Sequence, residues 1–572
     1  MVTKAAVLAR DWTRRRRASA PELAGPDIDS PLLAQLLLNR GIATPEDAAQ
    51  FLEPARPVAP ELDEMAGLPD AVRRIERALD AGQKIVVYGD YDVDGLSGST
   101  ILQRALLALG ATVEVFIPHR DRDGYGLNTD VLRELAARQA GLVITVDCGV
   151  TATAEVAAAN AIGLDIVVTD HHDVPAEMPL AVAVVNPHRP DCPYPFKQLA
   201  GAGVALKVAQ ALCGRRLDPA RLAALTPALL QLAALGTVSD VMPLVGENRA
   251  IVRHGLRALN DRPVAGLAAL VRRAGLARPW VTAEDIAFKL APRLNASGRI
   301  SEATISQRLL ATGDMAEAEV LAEELEALNS QRRDLATAAL DAARASVQGV
   351  GHDLPPGLVV ASEHPAGVLG LVAVRLVEET GRLVAVLEQT DGIARASVRA
   401  PTGLSAIDAV SACARHLIRF GGHQGAAGFS IAGENVEAFT ADFVEAVRNL
   451  PMLAQVDDGL VADCRLRTVS VNEGLLDLLS RVGPFGHGAP EPLFETSGLT
   501  VREARVVGER HLRMKLWGEG RLLISIAFNA AADPPPLGST IDLLYRVRPN
   551  VWQGQRRVDM EAVAWRPSAG TS

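Results

Sequence analysis

The chain has 572 residues, of which 48% are hydrophobic and 22% charged, and its formal net charge is −10. This length exceeds what one hydrophobic core usually serves and predicts roughly three to four domains. The acidic balance argues against a protein that coats nucleic acid with its whole surface. It leaves room for a local basic channel, because the field that a ligand meets is the one inside the cleft.

Two further features bear on location. No apolar run approaches the roughly 20 residues that span a bilayer, and the arginines at 14–17 are not followed by the apolar core of an export signal. The five cysteines are scattered and form no C-x-x-C pair, which is typical of a reducing compartment and gives no zinc signature. We therefore expect a cytoplasmic protein without membrane contact.

The N-terminal part, residues 1–64, is predicted to be a small helical lead-in. Ser30 precedes an apolar run, and Thr44 with Pro45 opens a second helix, as capping residues do. A proline-rich connection at 54–60 follows.

Residues 65–312 are predicted to form the first large domain. A helix at Asp70–Ala81 is followed by short β-branched strands that alternate with alanine-rich helices. This alternation predicts an α/β fold with a doubly wound, mostly parallel sheet. A helical region from Ala200 to Leu294 completes the domain. The predicted strands lie at 85–92, 111–118, 141–150, 164–172 and 181–187.

Three further units follow. Residues 313–350 predict a long connecting helix, in which leucines recur on one stripe of Met315–Val347. Residues 351–452 resume the alternation and predict a second, smaller α/β domain. Residues 453–572 contain five short strands, with one helix at Asn472–Ser480 between them, which is typical of an OB-like β-barrel.

The stretch Lys84–Ser99 carries the first chemical signal. Asp90, Asp92 and Asp94 follow a buried strand at alternate positions, and a helix is expected from Ser97 onwards. Three carboxylates this close repel one another unless a cation lies among them. A solvated acidic loop is the alternative, but open α/β sheets place their sites at the carboxyl ends of strands. The stretch therefore favours metal binding.

Other strand ends carry similar side chains. Asp147, His171 and His172 end later strands, and Asp240 lies in the helical region. A lone aspartate after a strand is often a helix cap, but adjacent histidines suit a site in which one binds a metal and the other a phosphate. Oxygen ligands with one imidazole favour Mn²⁺ or Mg²⁺. The number of carboxylates predicts two cations that share one aspartate and hydrolyse a phosphate ester or anhydride.

The order of these motifs resembles a known family. GDYDVDG at 89–95, VDCG at 146–149, TDHH at 169–172 and GTVSD at 236–240 are similar to the DHH phosphoesterase superfamily. Further stretches resemble the RecJ-like single-stranded-DNA exonucleases within it. These are IPHRDRDGYGLN at 117–128, APRLNASGRI at 291–300, HPAGVLGLVAVRL at 364–376, GGHQGAAGF at 421–429 and VGPFGHGAPEPLF at 482–494.

The resemblance implies a metal-dependent exonuclease that degrades single-stranded DNA from its 5′ end to mononucleotides, in recombination and repair. It implies that Asp147 bridges the two ions, that Asp90 lies at the edge of the first ion, and that His172 contacts the scissile phosphate. The implied catalytic metal ligands are Asp92, Asp94, Asp147, His171 and Asp240.

The resemblance also implies the residues that bind the strand. Arg120, Ser397 and Arg399 would hold its 5′ phosphate, with the last two on one face of a strand. The second domain would supply a phosphate-binding wall, although a glycine-rich turn between strand and helix is the alternative reading. Trp517 and Trp552 are candidates for base stacking, with a place in the barrel core as the alternative. The remaining implied substrate-binding residues are Arg293, Asn295, Arg299, Gly421, Gly422 and His423.

Two other functions stay open from the sequence. One is a DHH phosphodiesterase acting on nanoRNA or cyclic dinucleotides, which would need no long groove. The other is a non-catalytic scaffold of the same fold, which the intact acidic and histidine motifs disfavour. The expected partners are single-stranded DNA with a 5′ end, a single-strand-binding protein and a helicase, and we expect a monomer.

Overall fold

The computed structural model describes residues 11–16, 23, 27–58, 61–120, 122–124, 126–276, 279–349, 354–388, 392–452, 459–552 and 555–568. Its N-terminal part contains a short strand and two helices. Ser30 and Thr44 cap these helices through their side chains, as the sequence predicts. The elements are β1 (Thr13–Arg14), α1 (Pro31–Leu38) and α2 (Pro45–Leu52).

The first large domain is built on a five-stranded parallel sheet, which confirms the predicted fold class. Its elements are α3 (Leu68–Asp80), β2 (Lys84–Gly89), α4 (Val93–Ala108), β3 (Val113–Phe116), α5 (Thr129–Ala137), β4 (Ala140–Val146), α6 (Thr153–Ala161), β5 (Asp165–Thr169) and β6 (Ala183–Val185). The strand order is β3-β2-β4-β5-β6. The central strands are buried on both faces, as their β-branched sequences require.

The first helix after β2 begins earlier than the sequence prediction. We expected a helix from Ser97, but α4 begins at Val93 with Asp92 as its N-cap. The Asp92 side chain accepts hydrogen bonds from the backbone N–H groups of Asp94 and Gly95. Asp94 therefore lies in the first helical turn, and not in a loop.

A helical layer follows the sheet. It contains α7 (Gly201–Arg216), α8 (Pro219–Ser239), α9 (Gly246–Asp261), α10 (Ala265–Arg273), α11 (Ala283–Asp285), a π-helical turn (Ile286–Leu290), α12 (Ala291–Ile300) and α13 (Thr304–Ala311). The predicted connecting helix follows as α14 (Met315–Gly349). It packs against α10 and α12 and also contacts the next domain.

Among the described residues, α8 is long and apolar enough to cross a membrane by length and composition alone. The expectation that no apolar run approaches this length therefore does not hold for α8. Residues 229–238 of α8 are buried, and the helix packs against α4, α7 and α9 in the largest hydrophobic core. Buried core helices commonly have the same length and apolar composition, so these two properties alone do not indicate a membrane span.

The second domain has a mixed five-stranded sheet of order β10-β11-β9-β8-β7, in which only β7 and β8 are parallel. The segment 421–429 forms the turn and flanks of the β10–β11 hairpin, and not a connection between strand and helix. Its elements are β7 (Gly357–Ser362), α15 (Ala366–Thr380), β8 (Leu383–Glu388), β9 (Ile393–Arg399), α16 (Ala406–Ala412), β10 (Leu417–Gly422), β11 (Ala426–Ala432) and α17 (Val436–Asn449).

The C-terminal part is a five-stranded barrel, closed by the pairing of its first strand with its fourth. The predicted helix precedes these strands and does not lie between them. The elements are β12 (Val461–Ala462), β13 (Cys464–Arg465), α18 (Glu473–Val482), β14 (Phe494–Val507), β15 (His511–Gly518), β16 (Arg521–Ala527), β17 (Thr540–Trp552) and β18 (Gln555–Pro567).

The N-terminal helices pack into the barrel core. Leu33 and Leu36 of α1 lie in one buried cluster with Leu475 of α18 and Phe494 of β14, and β1 pairs with β12. The lead-in and the barrel thus share one hydrophobic core, although the two segments stand at opposite ends of the chain.

Candidate metal centre and phosphate-binding cleft

Acidic and imidazole side chains meet at the carboxyl edge of the parallel sheet. Asp90 follows β2, Asp147 follows β4, and His171 lies two residues beyond β5. Asp94 comes from the first turn of α4, and Asp240 directly follows α8. Parallel strands end at the same edge, so residues far apart in the chain converge there.

His171 lies at the middle of this cluster. Its Nε2 is 3.0 Å from Oδ1 of Asp147, 3.6 Å from Oδ2 of Asp240 and 3.8 Å from Oδ2 of Asp94. Potential ligand atoms lie within 4.8 Å of one another in three groups. The groups are Asp94, His171 and Asp240; Asp147, His171 and His172; and Asp90, Asp92 and Asp147. Asp147 and His171 each belong to two groups.

The cluster fits a metal because two of its central donor atoms are buried and have no hydrogen-bond partner among the described residues. These atoms are Oδ1 of Asp147 and Nε2 of His171. Buried polar atoms normally find a partner, so two neighbouring ones of this kind are suited to bind a cation together. The backbone is also strained here: Asp147 has φ of 62° and Val241, next to Asp240, has φ of 57°. A positive φ at a β-branched residue is a genuine outlier, and such strain concentrates at functional sites.

The charge balance gives the same answer. Burial, with the nearby charge of Asp92, raises the pKa of Asp94 to about 7. Burial and the neighbouring carboxylates raise the pKa of Asp240 to about 8, and they also raise the pKa of Asp147. Burial lowers the pKa of His171 to about 4, which keeps its imidazole in the neutral form that binds metals. Divalent cations would balance the crowded carboxylates.

Asp170 organises the two histidines, a role that the sequence prediction missed. Its carboxylate accepts hydrogen bonds from the backbone N–H groups of Val150, His171 and His172. Its Oδ1 also lies 2.8 Å from Nδ1 of His172. Although burial lowers the pKa of His172, this partner raises it to about 9. The TDHH motif was the signal, but only the structure separates its aspartate from the ligand set.

Two glycines that the sequence analysis did not single out make room for the carboxylates. A Cβ at Gly201 would lie 2.7 Å from Cβ of Asp147, and one at Gly236 would lie 2.4 Å from Oδ1 of Asp94. The backbone N–H groups of Gly201 and Ala202 donate to Asp94 at 2.6 and 2.9 Å. Both glycines therefore form a close-fitting cradle for Asp94 and Asp147, two of the predicted ligands.

The second domain approaches this centre through His423. The ring of His423, at the β10–β11 turn, lies 6.4 Å from the ring of His172 and nearly parallel to it, at 11°. Gly421 and Gly422 precede His423 in β10 and are exposed. The predicted wall of the second domain therefore faces the histidine that is predicted to contact phosphate.

Two arginines line a cavity next to the segment that carries Asp90 and Asp92, because Arg120 at its wall lies over the ring of Tyr91. The cavity has a volume of about 340 Å³ and is lined by residues that include Arg120, Arg299, Ser301 and Gln331. Burial, together with the charges of neighbouring arginines, lowers the pKa of Arg299 to about 10. The charges of Arg120, Arg332 and Arg399 lower this pKa, whereas the charge of Asp92 raises it. Crowded guanidinium groups of this kind are suited to a phosphate, which accepts their forked donors.

The predicted strand-binding residues occupy different settings. Arg120 lies over the ring of Tyr91 at 4.2 Å, and Arg299 donates to the carbonyl of Gly367 in the second domain. Asn295 accepts a hydrogen bond from Val93 at the start of α4. Arg293, in contrast, is paired with Glu326 of α14, so it lies against the connecting helix.

Residues of the second domain complete the cavity's surroundings. Ser397 and Arg399 of β9 both approach Gly370 of α15, where a Cβ would lie 2.8 Å from Nη2 of Arg399 and 3.4 Å from Oγ of Ser397. Gln331 and Arg332 of α14 are further polar residues that the sequence analysis missed. The regular leucine stripe of that helix indicates its packing face, and no sequence pattern marks the function of its polar face.

Two tryptophans of the barrel, Trp517 and Trp552, were predicted as candidates for base stacking. Trp517 on β15 is 41% exposed, so it does not belong to the barrel core. The side chain of Trp552 lies outside the described residues. Trp565, which was not proposed for stacking, is buried in the core that the barrel shares with α1 and α2.

Three family models match the chain. The DHH family, N-terminal domain, matches residues 84–237, the DHHA1 domain matches 356–449, and the RecJ OB domain matches 462–563. The parallel sheet with its acid–histidine cluster and the second domain above it thus define a protein of the DHH class.

Comparison with individual relatives narrows the class. The chain is 35% identical over 538 residues to a single-stranded-DNA-specific exonuclease RecJ of Bacillus subtilis, covering 92% of this chain and 67% of the relative. The solved structure of Thermus thermophilus RecJ with Mn²⁺ matches with a TM-score of 0.78 at 33% identity, covering 94% and 76% of the two chains. The structure of that RecJ with Mg²⁺ gives 0.72 at 31% identity, covering 94% and 75%. The chain belongs to the RecJ family.

Proposed function

We propose that the chain is a metal-dependent exonuclease that hydrolyses single-stranded DNA from the 5′ end and releases mononucleotides, in recombination and repair. The observation that carries this proposal is the cluster around His171, together with an arginine-lined cavity whose Arg120 lies over Tyr91, the residue between Asp90 and Asp92. The first feature suits phosphodiester hydrolysis, and the second suits recognition of a terminal phosphate. The RecJ relatives are named as single-stranded-DNA-specific exonucleases, which supports this choice of substrate.

The residues that would hold two Mn²⁺ or Mg²⁺ ions are the clustered carboxylates and one imidazole. We propose Asp92, Asp94, Asp147, His171 and Asp240 as ligands, with Asp147 shared and Asp90 at the edge. When bound, such ions activate a water and stabilise charge on the attacking and leaving oxygens. The carboxylate oxygens with a single imidazole are a donor set that these cations prefer.

His172 is proposed to contact the scissile phosphate. Asp170 accepts at Nδ1 of His172, which fixes the ring and leaves Nε2 to donate to a phosphate oxygen. The raised pKa of His172 keeps this ring protonated at neutral pH, so that it carries a positive charge opposite the phosphate. His423, stacked nearby, is proposed to donate from the other side of the cleft.

The arginine cavity explains exonucleolytic action from the 5′ end. We propose that Arg120, Ser397 and Arg399 hold the terminal phosphate, and that Asn295 and Arg299 bind the following backbone. Gly421 and Gly422 would let backbone amides approach an anion closely. Because Arg120 of the cavity contacts Tyr91, between Asp90 and Asp92, we expect the anchored end to be cut at its first bond. We propose that a cleft between the two domains, which the hydrogen bond from Arg299 to Gly367 bridges, admits a single strand more readily than a duplex.

The direct test is digestion of a single strand labelled at either end, with and without EDTA. We expect Mn²⁺-dependent release of mononucleotides beginning at the 5′ label and little cleavage of duplex. Metal-independent cleavage, or release beginning at the 3′ label, would refute the proposal. A higher turnover on a dinucleotide than on a long oligonucleotide would favour a phosphodiesterase of small substrates instead.

Location and partners complete the proposal. All five cysteines are free, which supports a reducing, cytoplasmic location. We propose a monomer that works with a single-strand-binding protein and a helicase, since a strand must be separated before it can enter such a cleft. Sedimentation of the purified chain would test the monomer, and co-purification would test the partners.

A further inference from the structure

One continuous helical segment, residues 283–300, connects three parts of the molecule. Near its start, Glu284 lies 3.0 Å from a guanidinium nitrogen of Arg548 on the barrel strand β17. Further along, Asn295 accepts a hydrogen bond from Val93, the residue between the metal-site aspartates Asp92 and Asp94. At its end, Arg299 donates to the second domain. The segment therefore runs from the barrel, past the metal loop, to the second domain.

This segment contains a π-helical turn with an exposed aromatic side chain. Phe288 is 74% exposed, whereas Ile286 and Leu290 of the same turn are buried. The N–H of Ala291 donates to the carbonyl of Ile286, which is the wide π spacing. Such turns are rare and are frequently found at functional sites. The buried neighbours anchor the turn, so the backbone holds Phe288 outward in a fixed position.

The location of Phe288 is what gives its exposure meaning. A single exposed apolar side chain is common and by itself needs no explanation. Phe288, however, precedes Asn295 by seven residues, or about 10 Å along a helix. It thus lies between the metal loop and the ion pair that ties this segment to the barrel. The polar side chains nearby, Lys289 and Arg293, hold their charge in ion pairs with Asp285 and Glu326.

We propose that Phe288 is a base-stacking platform for the part of the strand that leaves the metal centre toward the barrel. This inference rests on the proposed function and adds a contact to the bases, whereas the arginine cavity contacts the phosphate. An aromatic face stacks on any base, so it supports binding without sequence preference. The platform would also keep the strand extended and aligned as each nucleotide is removed.

The test compares Phe288→Ala with Phe288→Trp and a matched control. The control is Leu180→Ala, because Leu180 is also exposed, at 82%. Its carbonyl accepts a hydrogen bond from Asn160 near the end of α6, so it lies at the edge of the sheet opposite the metal centre. Binding of a long oligodeoxynucleotide is measured in EDTA, so that no hydrolysis is needed. Loss of one stacked base predicts an affinity about 5- to 150-fold weaker for Phe288→Ala. Phe288→Trp and Leu180→Ala are expected to bind like the unsubstituted chain.

A second measurement separates stacking from a structural effect. Single abasic sites are moved along the oligonucleotide, and one position is expected to weaken binding to the unsubstituted chain but not to Phe288→Ala. Hydrolysis of a 5′-phosphorylated dinucleotide in Mn²⁺ should be equal in both, because so short a substrate does not reach Phe288. Equal affinities in EDTA, or an abasic effect that persists in Phe288→Ala, would overturn the inference. Stacking without any hydrolysis in Mn²⁺ would instead refute the exonuclease while leaving the platform intact.

Discussion

The replacement Gly236→Ala tests how closely the ligand cradle is fitted. A Cβ at position 236 would lie 2.4 Å from Oδ1 of Asp94 and 2.5 Å from Cβ of Ala202, about 1 Å closer than van der Waals contact allows. Asp94 cannot simply retreat, because the N–H groups of Gly201 and Ala202 hold both of its oxygens. We therefore expect α8, and with it Asp240, to move away from α4.

The energetic terms of this replacement oppose each other. Alanine favours a helix interior over glycine by about 1 kcal/mol, whereas overpacking costs about 1–3 kcal/mol. The free energy of unfolding should therefore change by no more than about 2 kcal/mol, and the protein should stay folded. A displacement of about 1 Å among reacting groups can lower a rate by about 100-fold. We expect a loss of that size in exonuclease rate, together with weaker Mn²⁺ binding.

The assay measures Mn²⁺ affinity by calorimetry, the exonuclease rate and the melting temperature of each variant. The matched control is Gly214→Ala in α7, where a Cβ meets nothing within 4 Å. It removes a glycine from a helix in the same way and should raise stability slightly while leaving the rate unchanged. A folded Gly236→Ala protein with unchanged Mn²⁺ affinity and unchanged rate would refute the cradle.

Three further predictions concern the metal centre, the cavity and the linker to the barrel. Asp147→Asn should weaken Mn²⁺ binding and the nuclease rate by more than about 100-fold, beyond the loss typical of an outer-shell partner; a lost rate with unchanged metal affinity would contradict the bridging role. Arg399→Gln should weaken binding of 5′-phosphorylated strands more than of 5′-hydroxyl strands, with the exposed Arg375→Gln as control; equal effects on both would contradict a phosphate contact. Lys207→Ala leaves the partner Glu247 without its buried cation and should cost about 3–5 kcal/mol in urea unfolding, with the rate per folded molecule retained; an unchanged unfolding midpoint would contradict this.

The metal cluster was predictable because it depends on a rule of topology. Once the strands alternate with helices, Asp90, Asp147 and His171 follow strands of one parallel sheet and must meet at its carboxyl edge. The structure brings these residues together with Asp240. The start of α4 was harder to predict. The helix begins at Val93 because Asp92 caps it, whereas Gly95 in the sequence indicates a loop and therefore a later start.

The cradle glycines and Asp170 show where sequence reasoning stops. Gly236 lies within α8, where glycine normally only lowers stability, and Gly201 is the first residue of α7. Nothing local in the sequence indicates that a carboxylate lies against either glycine. Asp170 looks like a ligand by its position after β5, yet its oxygens are occupied by three backbone N–H groups and His172. Whether an aspartate binds metal or orients its neighbour depends on these contacts, which only the folded chain supplies.

The packing of the N-terminal helices against the barrel could not be predicted from the sequence either. The periodicity of Pro31–Leu38 predicts an apolar face, but any apolar surface of suitable shape could cover that face. In the structure this apolar face packs against α18 and the barrel. The connection at 54–58 contacts the first domain through hydrogen bonds. Gln210 and Lys207 donate to the carbonyls of Pro57 and Val58. This connection and the ion pair of Arg548 with Glu284 both link the barrel to the first domain, which is what a fixed track between Phe288 and the barrel requires.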